Sequence, residues 1–254
     1  MISGVDKAHF LDEQARTIDP DELGTIGNAL VIAPHPDDES LGCGGTIALL
    51  RERGFAVHVL FVSDGTMSHP NSPTYPADRL RQLRESEALE ALRILNVPPE
   101  NALFMRQKDT QVATPDSPNF APAVAFVLNL LIDTNPATVL VPWRRDPHRD
   151  HRASWQLLNA AVQQLPARPR VLEYLIWLWE LGNQADMPGR DEMAVWRVPI
   201  ESVIGQRNQA IAAHRSQVTR LIDDDPTAFY LSPELLTHFD APRELFLEER
   251  TDRR

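Results

Sequence analysis

The chain has 254 residues, of which 43% are hydrophobic, 24% charged and 7% aromatic, the balance of an ordinary globular protein; collagenous, fibrous and disordered chains are excluded. With 36 acidic against 25 basic residues the formal charge is -11, which repels phosphate backbones and anionic lipid and disfavours nucleic-acid or polybasic membrane partners. A single cysteine, Cys43, allows neither an intrachain disulfide nor a cysteine-based zinc site, so any metal must be held by histidine and carboxylate.

The N-terminal segment mixes acids with scattered apolar residues and lacks the basic region and apolar run of a secretory signal. The apolar stretches at 124–132 and 171–179 are far shorter than the ~20 residues that span a bilayer. A cytoplasmic, single-domain protein covering residues 1–254 is expected. Homo-oligomerisation is compatible with the sequence.

In chain order, Ala29–Ala33 and Val57–Ser63 are β-branched runs followed by loop residues and read as buried strands. Between them a helix is expected from about 37–40, where acids and a serine can cap free N–H groups, to the stop at Gly54. Leucines at 80, 83, 89, 92 and 95 predict an amphipathic helix over 76–96. A short strand at 102–105, a helix at 120–133, a strand at Thr138–Pro142 and a helix at 152–165 follow. Further on, 171–179 and 194–199 read as strands, 200–222 as a helix, and 223–254 as an acidic, proline-punctuated tail. Strand alternating with helix predicts an α/β fold: a Rossmann-like, mostly parallel sheet with helices on both faces.

Ligands of such sheets bind outside the carboxyl ends of the strands. Two segments there carry ligand-type residues in place of core residues: Ala33-Pro34-His35-Pro36-Asp37-Asp38-Glu39 and Asp146-Pro147-His148-Arg149-Asp150-His151. One His-Pro-Asp turn alone is more often a helix cap, but two at the ends of two strands point to a metal site. His35, Asp38 and His151 offer a mixed nitrogen and oxygen set of three ligands, with a fourth position left for water, as in a catalytic zinc centre. Asp37 is then the general base, His148 an oxyanion donor or acid, and Asp150 the group that orients His148 or keeps it protonated. Spacing alone does not distinguish Asp37 from Asp38 as the ligand.

These two segments resemble the A-H-P-D-D-E and H-x-D-H signatures of the PIG-L/LmbE-type zinc-dependent N-deacetylases. The resemblance extends to Arg84-Glu85-Ser86-Glu87, followed by Ala91 and Leu95, which matches the family's R-x-x-E-x-x-x-A-x-x-L-G helix with Asn96 in place of the glycine. Ser63-Asp64-Gly65 is similar to its T-D-G turn, and Ala213-His214-Arg215-Ser216-Gln217 to its A-H-x-S-Q segment. The likeness covers about residues 30–217. It implies metal ligation by His35, Asp38 and His151, with Asp37 as base, His148 as oxyanion donor or acid and Asp150 tuning it. It also implies that Arg84 and Asp109 hold sugar hydroxyls. Asp146 stands where some members place a tyrosine near the oxyanion.

The expected activity is removal of an acetyl group from an N-acetylglucosamine-type small molecule, with zinc or another divalent ion such as Fe2+. Alternatives are an amidase or deacylase on another glucosaminide conjugate, and an inactive sugar- or metal-binding member of the fold. The other residues have blander readings. Glu39 caps or supports a ligand, the glycines around Cys43 let the helix approach the sheet, and Trp143 and Arg144 are either pocket-lining or core. Trp177 and Trp179 alternate as packing residues in a strand, and His214 could reach the site, although a helical histidine beside Ser and Gln more often anchors backbone.

Overall fold

Residues 3–250 are described by the computed structural model. The chain runs α1 (Gly4–Asp12), β1 (Arg16–Thr17), β2 (Ala29–Ala33), α2 (Asp38–Glu52), β3 (Val57–Ser63), α3 (Ala77–Ile94), β4 (Ala102–Gln107) and α4 (Phe120–Thr134). It continues with β5 (Thr138–Pro142), α5 (Arg149–Val162), β6 (Arg170–Tyr174), α6 (Leu178–Leu181), β7 (Met193–Pro199), α7 (Ile204–Ala213), α8 (Arg215–Val218), α9 (Pro233–Leu236) and β8 (Arg243–Glu249).

All eight strands join one sheet in the order β1-β7-β8-β6-β5-β2-β3-β4, parallel throughout except for β8, which runs antiparallel to both β6 and β7. Successive side chains of a strand point to opposite faces. Val31 and Ala33 of β2 accordingly enter the core under α2, α3 and α7, while Leu30 and Ile32 enter the one under α4 and α5. The expected Rossmann-like architecture is present. From β2 the chain builds outward through β3 to β4, and on the other side of β2 lie β5 and β6. The order therefore reverses between β2 and β5, and both ligand-bearing segments leave the carboxyl ends of these two adjacent strands.

Four expectations are corrected. The run 171–179 is a strand only as far as Tyr174. Beyond it the Trp177 N–H is taken by Asp146 Oδ2 at 3.0 Å, and the Lys7 ammonium donates to the carbonyls of Leu178 and Trp179, closing α6 instead. The helix expected over 200–222 breaks at His214, whose ring is drawn toward Glu39. The helix expected to start at residue 152 starts at Arg149, because the His148 ring accepts the Asp150 N–H and caps it, a task usually given to Ser, Thr, Asp or Asn. The segment 223–254, whose last four residues lie outside the described ones, is no simple tail, since it supplies α9 and the interior strand β8.

The glycines near Cys43 do allow close approach. A Cβ at Gly42 would lie 2.3 Å from the Tyr174 ring of β6. Asn96 adopts φ 60°, a left-handed conformation that asparagine tolerates, which explains how it stands where the resembling helix ends in glycine.

Candidate metal centre and catalytic pocket

The turn after β2 places His35 and Asp38 three residues apart, and α5 brings His151 to the same point. Asp38 Oδ2 lies 3.2 Å from His35 Nδ1 and 3.2 Å from His151 Nε2. The His35 N–H also donates to Asp38 Oδ2 at 2.9 Å, which fixes the carboxylate. His151 is fully buried, and neither of its ring nitrogens makes a hydrogen bond. Such orphaned nitrogens are costly unless something else meets them, and a cation between His35, Asp38 and His151 would do so. The residues present fit a divalent metal.

Behind the ligand atoms stand further carboxylates. His35 Nε2 faces Asp109 Oδ1 at 3.3 Å and Asp150 Oδ2 at 3.5 Å, and His151 Nδ1 faces Asp146 Oδ1 at 3.5 Å. A carboxylate on the far nitrogen of a ligating histidine orients the ring and raises its basicity. His35 can also join a cation site with Asp109 and Asp150, or with His148 and His151, so it is common to every ligand arrangement of the cluster. Burial pulls the His35 and His151 rings toward neutrality. The surrounding carboxylates more than reverse this, lifting His151 to about 9 through Asp38 and Asp146 and His35 well above its ordinary value through Asp109, Asp150 and Asp38. That same concentration of negative charge attracts a cation.

Asp37 sits beside the ligands at φ 138°, a left-handed conformation rare for a non-glycine residue. Its N–H donates to Glu39 Oε2 at 3.0 Å, and its carboxylate accepts from Arg84 Nη2 at 3.0 Å. Burial, helped by the neighbouring Asp38, pushes its carboxyl up to about 7 against the pull of Arg84. Arg84 also donates to the carbonyls of Gly65 and Pro36, each at 2.7 Å, so Nη2 is fully used within the protein. Gly65, at φ 64°, is required there: a Cβ would lie 2.7 Å from Arg84 Nη1. On the same face of α3, three residues on, Glu87 accepts the N–H and hydroxyl of Ser216.

His148 Nδ1 accepts the Asp150 N–H at 3.2 Å, which leaves the proton of a neutral ring on Nε2. Burial and the neighbouring His151 and His35 hold this ring down to about 4. The Asp150 carboxylate accepts from the amides of Thr110 (2.7 Å) and Val112 (3.3 Å) and faces His35, and its contact with the His148 ring is made by its backbone N–H. Asp109 accepts the Met67 N–H at 2.8 Å with one oxygen and faces His35 with the other.

The family profile "PIG-L: GlcNAc-PI de-N-acetylase" matches residues 30–162, from β2 to the end of α5. The chain belongs to this family. It is 25% identical over 201 residues to a protein of Bacillus cereus named "Probable N-acetyl-alpha-D-glucosaminyl L-malate deacetylase 2", covering 78% of this chain and 86% of the relative. Among solved structures, a conserved protein of Thermus thermophilus is similar at 31% identity and TM-score 0.57 over 75% of this chain and 79% of its own. The N,N'-diacetylchitobiose deacetylase of Pyrococcus horikoshii is similar at 25% identity and TM-score 0.59, over 74% of this chain and 70% of its own.

In this PIG-L-family chain His35, Asp37, Asp38, Arg84, Asp109 and His148 line one side of a cavity of about 280 Å3. Its other side is apolar and includes Trp177 and Phe229. Sequence reasoning missed both. Trp177 had the alternation of a strand residue, and Phe229 lies in the supposed tail, with no local signal to bring either here. The structure also brings in His214, whose Nε2 lies 2.9 Å from Glu39 Oε1, beneath the Asp37 turn. Trp143 and Arg144 belong elsewhere: the Trp143 indole N–H is bound to the Asp186 carbonyl and Arg144 is paired with Glu173.

Proposed function

We propose that this protein is a metal-dependent N-deacetylase that hydrolyses the acetamide of an N-acetylglucosamine-type small molecule, and that residues 1–254 act as one catalytic domain. The observation that carries the reading is the convergence of two histidines and an aspartate beside a strained, unligated Asp37 in a cavity. The relatives named for N-acetylglucosaminyl malate and diacetylchitobiose deacetylation support the substrate class.

In this reading His35, Asp38 and His151 hold the ion, with zinc as the first choice and Fe2+ compatible with the same nitrogen and oxygen donors. A divalent ion bound there supplies Lewis acidity and lowers the pKa of water from ~15.7 toward ~7. Asp37 accepts a proton as water oxygen adds to the amide carbon. The Nε2–H of His148 donates to the carbonyl oxygen as negative charge develops on it. The C–N bond then breaks, Asp37 returns the proton to the departing nitrogen, and acetic acid and the amine leave, the remaining acid proton passing to the amine to give acetate and ammonium. Arg84 holds the Asp37 carboxylate, while Glu39, fixed by Ser40 and His214, holds its N–H.

Release of free amine from a panel of N-acetylglucosaminides tests the reading, run with added zinc, with a chelator, and with variants whose metal content is measured. Asp37→Ala is expected to lose about 100-fold or more in turnover while keeping its metal. His35→Ala and His151→Ala are expected to lose the metal itself. Equal metal loss in all three would refute the division of roles.

A further inference from the structure

The rim of the catalytic cavity is apolar in a way that the chemistry of an N-acetylglucosamine ring does not require. Met67, Leu181 and Phe229 are 39%, 60% and 43% exposed and all line the cavity, and Trp177 completes the wall in edge contact with Phe229. Each is held in place by its backbone. The Trp177 N–H is bound to Asp146, the Phe229 N–H donates to the Ser68 carbonyl at 2.9 Å, and the Met67 N–H to Asp109. Lys7 from α1 ties down the helix that carries Leu181. Fixed apolar side chains left facing water at a cavity mouth mark a binding surface. Among the described residues lining this cavity, the only arginine or lysine is Arg84, which is committed to Asp37 and two carbonyls. Asp37, Asp38 and Asp109 stand close by. An anionic group at the rim, away from His35 and the metal position, finds no arginine or lysine free to meet it.

We infer that the substrate carries an uncharged apolar group, an alkyl or aryl chain, that packs against the rim formed by Met67, Trp177, Leu181 and Phe229. The chain can be attached as the aglycone or as the far end of the acyl group, and the test below separates the two. The inference rests on the deacetylase reading for its turnover arm.

The experiment compares the zinc-loaded enzyme on methyl N-acetylglucosaminide, octyl N-acetylglucosaminide, methyl N-octanoylglucosaminide and the malyl conjugate. Calorimetric binding of the product amines, octyl and methyl glucosaminide, runs in parallel and needs no turnover. An apolar contact of this size is expected to raise kcat/KM of one octyl substrate over the methyl one by about tenfold or more, and to tighten product binding similarly if the chain is the aglycone. Leu181→Ser and Phe229→Ser should each shrink those ratios toward one. Both residues are partly exposed, so folding is not at stake, and Phe229→Leu should keep most of the preference. The octyl substrate that gains tells the aglycone from the acyl chain. Equal rates and equal binding for octyl and methyl compounds, or a malyl conjugate that outruns both octyl substrates, would overturn the apolar subsite while leaving the deacetylase standing. Silence toward every substrate with octyl product still bound tighter would overturn the deacetylase and keep the subsite, and silence with equal binding would overturn both.

Discussion

At Asp37 a carboxylate-bearing residue occupies a backbone conformation that costs of order 1–3 kcal/mol and persists only when its surroundings impose it. Glu39 takes its N–H and Arg84 its side chain, and both contacts are buried. With the proposed roles, Arg84→Met should lower turnover by about 10- to 100-fold with metal content retained, because Asp37 loses its orientation while His35, Asp38 and His151 are unchanged. Arg84→Lys should recover part of the rate, since one cation–carboxylate contact is restored without the fork that also reaches Gly65. Steady-state kcat alongside elemental analysis of the metal checks both. His148 caps α5 with its Nδ1, and that capping bond leaves the proton of a neutral ring on Nε2 of this cavity-lining residue.

Among the elements, α2 carries Asp38 at its first residue and is kinked at Cys43, where φ is -151°. The kink frees backbone N–H groups in the buried part of the helix, and β8 answers them: the Glu244 carboxylate accepts from the amides of Gly45 (2.7 Å) and Thr46 (2.8 Å) and from the Thr46 hydroxyl (2.6 Å). Buried amides left without acceptors cost about 1–3 kcal/mol each. Glu244→Ala should accordingly lower the free energy of unfolding in urea by about 2–4 kcal/mol, and weaken metal retention because the helix holding Asp38 loses its anchor. A stability loss below half a kilocalorie would show that water replaces the carboxylate. The helix α3 works differently, with the apolar spacing of Leu80, Ala88, Ala91 and Leu92 burying one face on which Arg84 and Glu87 ride. One of these reaches the Asp37 turn and the other the start of α8.

For the whole molecule, the decisive contact is β8 between β6 and β7. Removing β8 would leave β7 and β1 paired to nothing else in the sheet and take Leu245, Phe246 and Leu247, now 5% exposed or less, out of the core. A chain truncated after residue 240 should lose the cooperative thermal transition seen by circular dichroism, and not just its C-terminal segment. Charge pairing adds a pH dependence. Burial alone would raise the Glu85 carboxyl, but the Arg106 and Arg81 guanidinium groups beside it reverse this and hold it below its ordinary value. Its contribution is therefore present above the unfolded-state pKa and lost as pH falls through the folded one. The partners are solvent-facing, so the effect is roughly 0.5 kcal/mol. Glu85→Gln should flatten the acid limb of a stability profile by that amount and leave the neutral region lower by the same amount. Among the described residues no helix is long and apolar enough to cross a membrane.

What the sequence by itself determined was the part of the protein encoded by neighbours. Strands β2, β3 and β5 were legible to the residue because β-branched runs end at turn-forming residues, and α3 because its leucines recur at helical spacing. The candidate cluster was legible because strand-end turns place His35 with Asp38, and His148 with His151, within a few residues of each other. Only the tertiary structure decided the rest, because the reason for each lay far along the chain. Residues 243–249 read as acidic tail, yet Arg243, Glu244, Glu248 and Glu249 are answered by Asp12, Gly45 and Thr46, Arg170 and Arg144. Paired in this way, the charges let an apolar strand pass through the sheet. The break at His214 depends on Glu39, 175 residues away. The wall of Trp177, Leu181 and Phe229 depends on Lys7, Asp146 and Ser68. No local pattern records such long-range pairings, since each forms only after the sheet has brought its two ends together.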